Sequence, residues 1–494
     1  MSENTASSKD LLDRALTASL FLLALSAPIS IAATQTAWAF GLLFWLIRFA
    51  IIRPGLPRHA FDLALLAFLG LTILSSFFSY EREVSLRKLV AVSLVTIVYL
   101  VFDGIHSRKT PRILVAILLV SGVVTVGYSL ATLAIGKNLK IDRLSAESPL
   151  RAAGVEENDT ILAADGVSVD SPEDLARIFS DKAAGDVVTL WIYHYELQYP
   201  RTVPVSSLPV LGDPVVRFGI TEWTRGRDRR ASGFFGHYTT YAEVIQLVLS
   251  LAFALLVLAP AAGSWRLRGL LLAAVIALSV GLFLTITRAS WAGFVISAVA
   301  IILLGASRKT VLICLAISIP LVIGGLAYLQ QKRNVAFIDT ADGSTSWRMT
   351  VWREAVELLF SDPRHGVVGV GMDSIKTHHA EWGMFDKGRQ PIGHLHSTPL
   401  QIAFERGLPA LIAWMIWMFI YLKLLWNGLK RKEFEWPERA ILLGVFGGTL
   451  GFLASGVVHY NWGDSEVVMI FYLLMGLTLA VLRQGSTAEN PATA

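Results

Sequence analysis

The run Phe61–Ser79, FDLALLAFLGLTILSSFFS, decides the fold class of this chain. Asp62, at the edge of the run, is its only charged residue. A helix needs about 20 mostly apolar residues to cross the hydrocarbon core of a bilayer, and this run has that length. Its apolar residues are continuous, whereas the strands of a membrane barrel alternate between apolar and polar residues. The run therefore predicts a membrane-spanning helix.

The composition of the whole chain agrees with this prediction. Of its 494 residues, 54% are hydrophobic and 16% are charged, and the mean hydropathy is +0.56. A soluble domain carries about 25% charged residues, so an ordinary cytosolic enzyme, a disordered chain and a fibrous protein are excluded. A single cysteine, Cys314, excludes a disulfide scaffold. The net charge of +5 is modest, and no nucleic-acid partner is expected.

Similar apolar runs recur along the chain and predict an all-α polytopic membrane protein with about twelve transmembrane helices. The predicted spans lie near 15–33, 36–52, 61–79, 88–103, 113–135, 240–260, 268–286, 290–306, 310–329, 407–426, 438–458 and 464–482.

The distribution of Lys and Arg in the short loops predicts the orientation. These residues concentrate on the cytoplasmic side of membrane proteins. One set of alternate loops holds most of them: Arg53, Arg58, Arg108, Lys109, Arg112, Arg266, Arg268, Arg308, Lys309, Lys430, Arg431, Lys432 and Arg439. The other set holds Arg82, Arg87, Lys88 and Arg288. Both termini are therefore expected in the cytoplasm, and no cleavable signal peptide is expected.

This orientation places two long polar segments on the outer side and divides the chain into six parts. The predicted parts are spans 1 to 5 (1–135), an outer insertion (136–236), spans 6 to 9 (237–329), an outer loop (330–398), spans 10 to 12 (399–484) and a disordered tail (485–494). The Ser-, Thr- and Asn-containing start, 1–8, is also expected to be disordered.

The outer insertion has a regular order of predicted elements. A short helix at Pro149–Ala153 stops at Gly154, a strand follows at Thr160–Ala164, and a helix capped by Ser171 covers Pro172–Ser180 before the strand Val187–Tyr193. This α+β order resembles the bacterial permuted PDZ domain over about 140–205. The resemblance implies a protein or peptide partner that adds to a sheet edge, with a carboxylate-binding loop near Gly136–Ile141. The alternative is a rigid spacer or lid.

The second outer segment begins with apolar residues at helical spacing. Trp347–Phe360 is predicted to be an amphipathic helix on the membrane or the bundle, in which Arg348 and Arg353 occupy a solvated face. The next stretch, SDPRHGVVGVGMDSI at 361–375, is interpreted as a turn. Its Gly369-x-Gly371 is a weak nucleotide signal, and close backbone packing explains it better.

Residues Gly393–Trp414 read GHLHSTPLQIAFERGLPALIAW, in which His396-Ser397 is followed by nine residues and Gly407. This motif resembles that of the bacterial O-antigen ligase family, in which His and then Asn, Ser or Gln precede nine residues and Gly-x-x-(Gly/Thr/Tyr). Ala410 departs from the last position. Two weaker similarities are the Thr287-to-Trp291 turn, which contains Arg288, and the Arg230-to-Gly236 segment. The resemblance covers roughly 220–480.

The resemblance implies a polytopic, GT-C-like glycosyltransferase of the bacterial inner membrane with a periplasmic active site. Such an enzyme is metal-independent and needs no cofactor. It transfers a glycan from undecaprenyl pyrophosphate to a sugar hydroxyl of lipid A–core, with inversion of the anomeric centre. Its partners are therefore the lipid-linked donor, the lipid A–core or another hydroxyl acceptor, and membrane lipids.

The residue types suit this chemistry. His396 has a side chain that can remove a proton from a sugar hydroxyl near neutral pH. Arg288 and Arg230 can hold diphosphate oxygens, because a guanidinium presents several donors in one plane and stays charged. His394 and Ser397 are expected to support the site.

Each residue also has a simpler interpretation. His396 could be a hydrogen-bonded structural histidine, Arg288 an interfacial anchor, and Arg230 a contact for lipid headgroups. A metal at His394 and His396 is disfavoured, because the nearby His and acidic residues show no ligand spacing. Glu405 and Arg406 are expected to pair locally. Tyr460, Asn461 and Asp464 are expected to line the cavity, on the basis of position alone.

Other functions also fit parts of the sequence. A polymerase of lipid-linked repeat units and an O-linked protein oligosaccharyltransferase use the same donor and differ in the acceptor. A transporter or flippase fits the number of spans, although the sequence shows no inverted repeat and few acidic residues inside the spans. A membrane scaffold that presents the PDZ-like domain would not need twelve spans.

Overall fold

The structure is a computed structural model, and it describes residues 2–52, 58–194, 197–207, 213–226, 230–260, 263–307 and 343–489. The chain divides into two compact units. Unit 1 contains residues 1–126 and 232–494, and unit 2 contains residues 127–231. The predicted span at 310–329 lies outside the described residues.

Unit 1 is helical where it is described. The first helices of the chain are α1 (Ser2–Ser26), α2 (Ile31–Ile52), α3 (Asp62–Phe77), α4 (Arg82–Val92), α5 (Ile97–Gly104) and α6 (Lys109–Ile135), and a 3₁₀ turn, Ser93–Thr96, joins α4 to α5. The short helices α7 (Pro149–Ala152), α8 (Pro172–Ser180) and α9 (Pro214–Arg217) belong to unit 2. The later helices are α10 (Tyr238–Leu258), α11 (Trp265–Leu284), α12 (Arg288–Gly305), α13 (Gly343–Ser361), α14 (Pro363–Val368), α15 (Ser374–His378), α16 (Thr398–Arg406), α17 (Leu408–Leu429), α18 (Trp436–Ser455) and α19 (Ser465–Glu489).

Nine helical segments of the described chain are long and apolar enough to cross a membrane. Each of the nine overlaps a predicted span. They are Ile31–Ile52, Arg82–Gly104, Lys109–Ile135, Tyr238–Leu258, Trp265–Leu284, Arg288–Gly305, Leu408–Leu429, Trp436–Ser455 and Ser465–Gly485. The predicted run 61–79 forms the shorter apolar helix α3, and the run 15–33 falls mainly in α1. The chain is therefore a polytopic membrane protein.

Small residues allow the central helices α10, α12 and α18 to approach closely. A Cβ atom on Gly293 of α12 would lie 2.7 Å from the carbonyl oxygen of Gly451 in α18. Gln246 of α10 donates from Nε2 to Ser297 Oγ of α12 at 2.9 Å. In a bilayer, the hydrophobic effect does not drive helices together. Such close packing and interhelical hydrogen bonds stabilise their association instead.

Three segments differ from their predicted conformation. The stretch predicted as a turn contains α14, because Asp362 caps its N-terminus and Pro363 suits its first position. The described helices also extend into the terminal segments predicted to be disordered, since α1 begins at Ser2 and α19 ends at Glu489.

Unit 2 is built on an antiparallel sheet. Its strands are β1 (Leu139–Leu144), β2 (Thr160–Ala164), β3 (Val167–Ser168), β4 (Val187–His194), β5 (Leu197–Pro204) and β6 (Ile220–Arg225), in the order β5-β4-β2-β1-β6, with β3 paired to β2. The predicted strand Thr160–Ala164 is confirmed. The predicted helix at Pro172–Ser180 is also confirmed, and its cap Ser171 accepts from Asp174 N. Strand β6 extends the sheet beyond the predicted range 140–205.

The predicted carboxylate-binding loop at Gly136–Ile141 is wrong. Its backbone N–H groups already donate within unit 2: Lys137 N to Gly226 O at 2.6 Å and Leu139 N to Val169 O at 3.0 Å. Asn138 N donates to Asp170 Oδ1 at 2.7 Å. The segment from Leu139 is an inner strand of the sheet, so it has no donors left for a peptide carboxylate.

Candidate functional site

The candidate site lies at the end of unit 1 where α10 and α12 begin and α18 ends. Thr240, in the first turn of α10, donates from Oγ1 to Asp464 Oδ2 at 2.8 Å. Gly293 of α12 lies against Ser455, the last residue of α18. Thr398 N, at the start of α16, donates to Gly456 O at 2.7 Å. We call this end, which carries His396 and the 456–464 loop, the histidine end.

The backbone around His396 is held in an unusual conformation. His396 has a φ of +47°, and a side chain in this left-handed region persists only where the surroundings stabilise it. Its neighbour Leu395 donates from N to Gln401 Oε1 at 2.7 Å and accepts at its carbonyl from Trp352 Nε1 at 2.6 Å. The direction of the His396 side chain is therefore determined by α13 and α16.

Aromatic rings surround the imidazole of His396. The centroid of the His394 ring is 4.1 Å from that of His396, and the Trp347 ring meets His396 edge-on at 5.0 Å. The Tyr460 ring lies 5.4 Å from His394. Both histidines are only partly buried, and neighbouring rings pack against them from several sides.

Both imidazoles are uncharged near neutral pH. Burial lowers the pKa of His396 to about 2, and the positive charges of His394 and Arg348 act in the same direction. Burial also lowers the pKa of His394 to about 4, with Lys376 as the next contributor. A neutral imidazole has a free nitrogen lone pair, which is the form that can accept a proton.

Ser397 and Thr398 connect the histidine loop to the 456–464 loop. Ser397 is buried and precedes α16, and its carbonyl accepts from Gln401 N at 2.8 Å. Thr398 Oγ1 donates to Asn461 Oδ1 at 2.8 Å. Asn461 is thus a structural partner of α16. A supporting role for Ser397 in the chemistry stays a prediction.

A buried relay of polar groups runs along α16. Gln401 donates from Nε2 to Glu405 Oε1 at 2.9 Å, while its Oε1 holds Leu395 N. Glu405 Oε2 accepts from the Tyr460 hydroxyl at 3.3 Å and lies 3.4 Å from Arg406 Nη1. The predicted local pairing of Glu405 with Arg406 is confirmed. The relay links Tyr460, which lies beside His394, to the backbone next to His396.

The two arginines predicted for the diphosphate fall in different units. Arg288 is the first residue of α12 and is partly buried at the histidine end. Arg230 is partly buried and belongs to unit 2. Arg227 and Arg229, which precede Arg230 in the sequence, lie outside the described residues. Binding of a diphosphate by Arg288 and Arg230 stays a prediction.

The structure places a further arginine near the histidines. Arg348 of α13 is partly buried, and its charge contributes to the low pKa of His396. Arg348 is thus only partly exposed on the face predicted to be solvated, whereas Arg353 is exposed as predicted. The helical spacing of apolar residues placed both arginines on one helix. It could not show that the loop carrying His396 packs against α13.

Sequence reasoning also missed a buried acid–imidazole pair. His459 Nδ1 lies 2.9 Å from Glu243 Oε1, and both side chains are buried. An acidic residue inside the apolar run of α10 is the signal that could have indicated this pair, because such a residue needs a partner in a bilayer. In the described parts of the chain, no group of three or more His, Cys, Asp or Glu side chains is arranged to hold a metal ion.

Comparison with known families gives one match. Residues 272–415 match the model of the O-antigen ligase family. The matched range contains Arg288, His394, His396 and Ser397, and it ends in α17. No curated protein matches the chain. The match covers less than a third of the chain.

Proposed function

We propose that this chain is an inverting, metal-independent glycosyltransferase that moves a glycan from undecaprenyl pyrophosphate to a hydroxyl of lipid A–core. The protein would lie in the bacterial inner membrane with both termini in the cytoplasm and the histidine end in the periplasm. The family match supports the class of enzyme. The choice of donor, acceptor and side is the proposal.

His396 is the proposed general base. The acceptor oxygen attacks the anomeric carbon of the glycan while the bond from that carbon to the diphosphate oxygen breaks. The hydroxyl proton passes to the imidazole of His396, and the diphosphate leaves with the bonding electron pair. A single displacement of this kind inverts the anomeric centre. His394 supports the ring of His396 from 4.1 Å away.

Arg288 and Arg230 are the proposed ligands of the leaving diphosphate. Charge builds up on its oxygens as the bond breaks, and guanidinium groups stabilise that charge most where water is excluded. The same negative charge would favour a positively charged imidazole nearby. The donor can therefore raise the low pKa of His396 when it binds, which makes the base stronger in the complex than in the free enzyme.

One observation carries this proposal: a neutral imidazole held by backbone hydrogen bonds at the polar end of a membrane bundle. Trp352 and Gln401 fix the peptide groups next to His396 at 2.6 and 2.7 Å. A buried structural histidine would not need a left-handed φ of +47° together with partial exposure. Backbone strain of this kind is concentrated at functional sites.

The test uses the purified full chain and a lipid-linked glycan donor. Lipid A–core, a second donor molecule and an acceptor protein are supplied in parallel reactions. We expect transfer to lipid A–core, and we expect His396→Ala to reduce it by about 10²–10⁴-fold, as loss of a general base does. His379→Ala is the matched control, because the Nδ1 of His379 lies 3.0 Å from Lys376 O and its ring packs against Phe385.

Each other outcome has a distinct meaning. Transfer only to the second donor would identify a polymerase, and transfer only to protein would identify an oligosaccharyltransferase. Movement of the donor across a vesicle membrane without transfer would identify a flippase. Full activity of folded His396→Ala would remove the general-base role.

We also propose that unit 2 receives an extended peptide at strand β6. Both β5 and β6 are edge strands, but Pro200 and Pro204 protect the β5 edge, and β6 contains no proline. The N–H groups of Phe218 and Gly219 already donate to Pro214 O and Val216 O. The expected mode is therefore strand addition and not capture of a carboxylate. Binding of fluorescent peptides to the full chain, compared with a chain lacking 138–225, tests it.

A further inference from the structure

A cavity of about 120 Å³ lies within unit 1, between α3, α4, α17 and α19. Its volume corresponds to roughly four water molecules. Apolar side chains form most of its wall, including those of Leu65, Phe68, Val92 and Val468. Arg406, Glu405, Tyr460, Lys88 and Asp373 also line it. The cavity thus combines apolar side chains with charged and polar groups, the two kinds of surface that a lipid molecule would contact.

The guanidinium of Arg406, which lines the cavity, has unused hydrogen-bond donors. Arg406 is 5% exposed, and its Nε and Nη1 have no acceptor among the described residues. Its Nη2 donates to the sulfur of Met372 at 3.3 Å, the Glu405 carboxylate is 3.4 Å from Nη1, and the guanidinium also interacts with the Tyr460 hydroxyl. A buried donor without an acceptor costs about 1–3 kcal/mol, and more when it is charged. The site therefore favours a ligand that brings acceptor oxygens.

A second donor lies along the wall of the same cavity. Trp417 is fully buried, and its indole N–H also has no acceptor in the described parts of the chain. The cavity wall therefore holds unused donors on both α16 and α17.

The rim of the cavity adds another cation. Lys88 of α4 is about half exposed, and its Nζ lies 2.8 Å from Asp373 Oδ2. Burial alone would raise the pKa of Asp373, but the Lys88 ammonium holds it below its usual range. Beside Lys88, the lining residues Ala91 and Gly463 are exposed. The cavity thus has a mouth between α4 and the start of α19, on the flank of the bundle.

We propose that this cavity binds a membrane lipid with a phosphate-bearing head. Phosphate oxygens would accept from Arg406, whose guanidinium matches phosphate better than an ammonium does. Lys88 would contribute a second charge from the rim. The first methylenes of the chain would lie against Phe68 and Val92, and the rest would extend through the mouth into the bilayer. An apolar wall of this kind disfavours free inorganic phosphate.

This lipid site adjoins the proposed transfer site. Tyr460 lies between the two: its hydroxyl donates to Glu405 in the cavity, and its ring faces His394 at 5.4 Å. The inference rests on Arg406, Trp417 and the shape of the cavity. It does not depend on the proposed glycosyltransferase activity, and it can be tested by binding alone.

The experiment uses the purified full chain in dodecyl maltoside, which carries no phosphate. A dodecyl phosphate with a photoreactive diazirine near its head is cross-linked, and mass spectrometry locates the attachment. We expect attachment to the cavity-lining parts of α3, α4 and α19. Unlabelled dodecyl phosphate should compete, whereas dodecanol and inorganic phosphate should not.

Three variants separate binding from folding. Arg406→Gln should weaken labelling by at least about tenfold, as the loss of a charge-assisted hydrogen bond does. Ala91→Trp should block the mouth while leaving the buried charges in place, and it keeps the test valid if Arg406→Gln does not fold. Arg364→Gln is the control, because Arg364 stacks on Tyr80 and does not line the cavity. Its labelling should be unchanged.

Three results would overturn the proposal. Equal competition by inorganic phosphate would indicate a free-anion site, and equal competition by dodecanol would indicate a pocket for hydrocarbon alone. Labelling that is unaffected in both Arg406→Gln and Ala91→Trp would mean that the lipid attaches elsewhere.

Discussion

Two neighbouring histidines make the stability of this protein depend on pH. Burial lowers the pKa of His396 to about 2 and that of His394 to about 4, against about 6.5 in an unfolded chain. Below about pH 6.5 the unfolded chain binds protons that the folded chain does not bind. The stability contributed by the neutral rings is thus complete above this pH and decreases as the pH falls.

The expected result is a lower melting temperature at pH 5 than at pH 7. At pH 5, a histidine that stays neutral in the folded protein lowers the free energy of unfolding by up to about 2 kcal/mol. His396→Gln removes one of these groups, so its melting temperature should fall less over the same range. Thermal unfolding of both proteins in detergent measures the effect. An equal fall in both would mean that His396 is protonated at pH 5 in the folded protein.

The role of Arg288 depends on the shape of its head group as well as its charge. If it holds two diphosphate oxygens, Arg288→Lys keeps the charge and loses the planar pair of donors. We expect the donor kcat/KM to fall by about 10- to 100-fold, since a charged hydrogen bond contributes roughly 1.5–3 kcal/mol. Arg268→Lys is the matched control, because Arg268 bonds to Ala259 O at the other end of the bundle. Unchanged kinetics for Arg288→Lys would make it an interfacial anchor.

At the scale of elements, α16 positions the histidine loop from within the bundle. Its Gln401 accepts from Leu395 N and donates to Glu405, so one side chain connects the loop to the buried relay. Glu405 is held in turn by Asp373 N at 3.1 Å and by Tyr460. The described hydrogen bonds of Gln401 join it to Leu395, Ser397 and Glu405 and not to His396 itself. Any effect on transfer would therefore act through the position of the loop.

Replacing Gln401 by Met tests this positioning role. Met has a similar length and lacks the acceptor for Leu395 N, so the orientation of His396 becomes less restricted. We expect kcat to fall about tenfold, as small misplacements of a catalytic group do, while KM for the donor stays unchanged. Gln198→Met, at an exposed strand position of unit 2, is the control. A rise in KM with unchanged kcat would assign Gln401 to substrate binding.

Elements defined by local patterns were predictable from the sequence. The spans follow from continuous apolar runs, and the helix Pro172–Ser180 follows from its cap and its first proline. The packing role of Gly369-x-Gly371 is also confirmed, because a Cβ on Gly369 would lie 2.3 Å from the Glu405 carbonyl carbon. The helix α14 was missed, because Gly366 within it and Gly369 just after it concealed a good N-cap at Asp362.

At the scale of the whole molecule, the contacts that complete the candidate site are non-local. The sequence identified His396 and its motif, but the partners of the site come from segments far apart in the chain. His459 meets Glu243 across 216 positions, and Trp352 reaches the histidine loop from α13. Periodicity and composition describe single elements, so they could not predict these contacts. The predicted alternation of inner and outer loops did predict which loops lie at the same end of the helix bundle.

The ends of unit 2 determine how the insertion can be removed. Lys137 N donates to Gly226 O at 2.6 Å, and Gly226 N donates to Asn138 O at 2.9 Å, so a short Gly-Ser linker can replace residues 138–225. A shorter deletion that kept β6 would leave that strand without β1, its partner in the sheet. The replacement retains Arg230 and all the candidate residues of unit 1.

We expect the chain with this replacement to fold and to transfer glycan at a rate within about tenfold of the full chain. The two ends of the replaced segment lie next to each other, so a short linker between them disturbs the remaining fold little. Helical circular dichroism and thermal unfolding check the fold, and the in vitro transfer assay checks the rate. Peptide binding at β6 should be lost completely in the same protein. A folded variant with no transfer would mean that unit 2 supplies part of the active site, and the diphosphate ligands would then have to be sought among its residues as well.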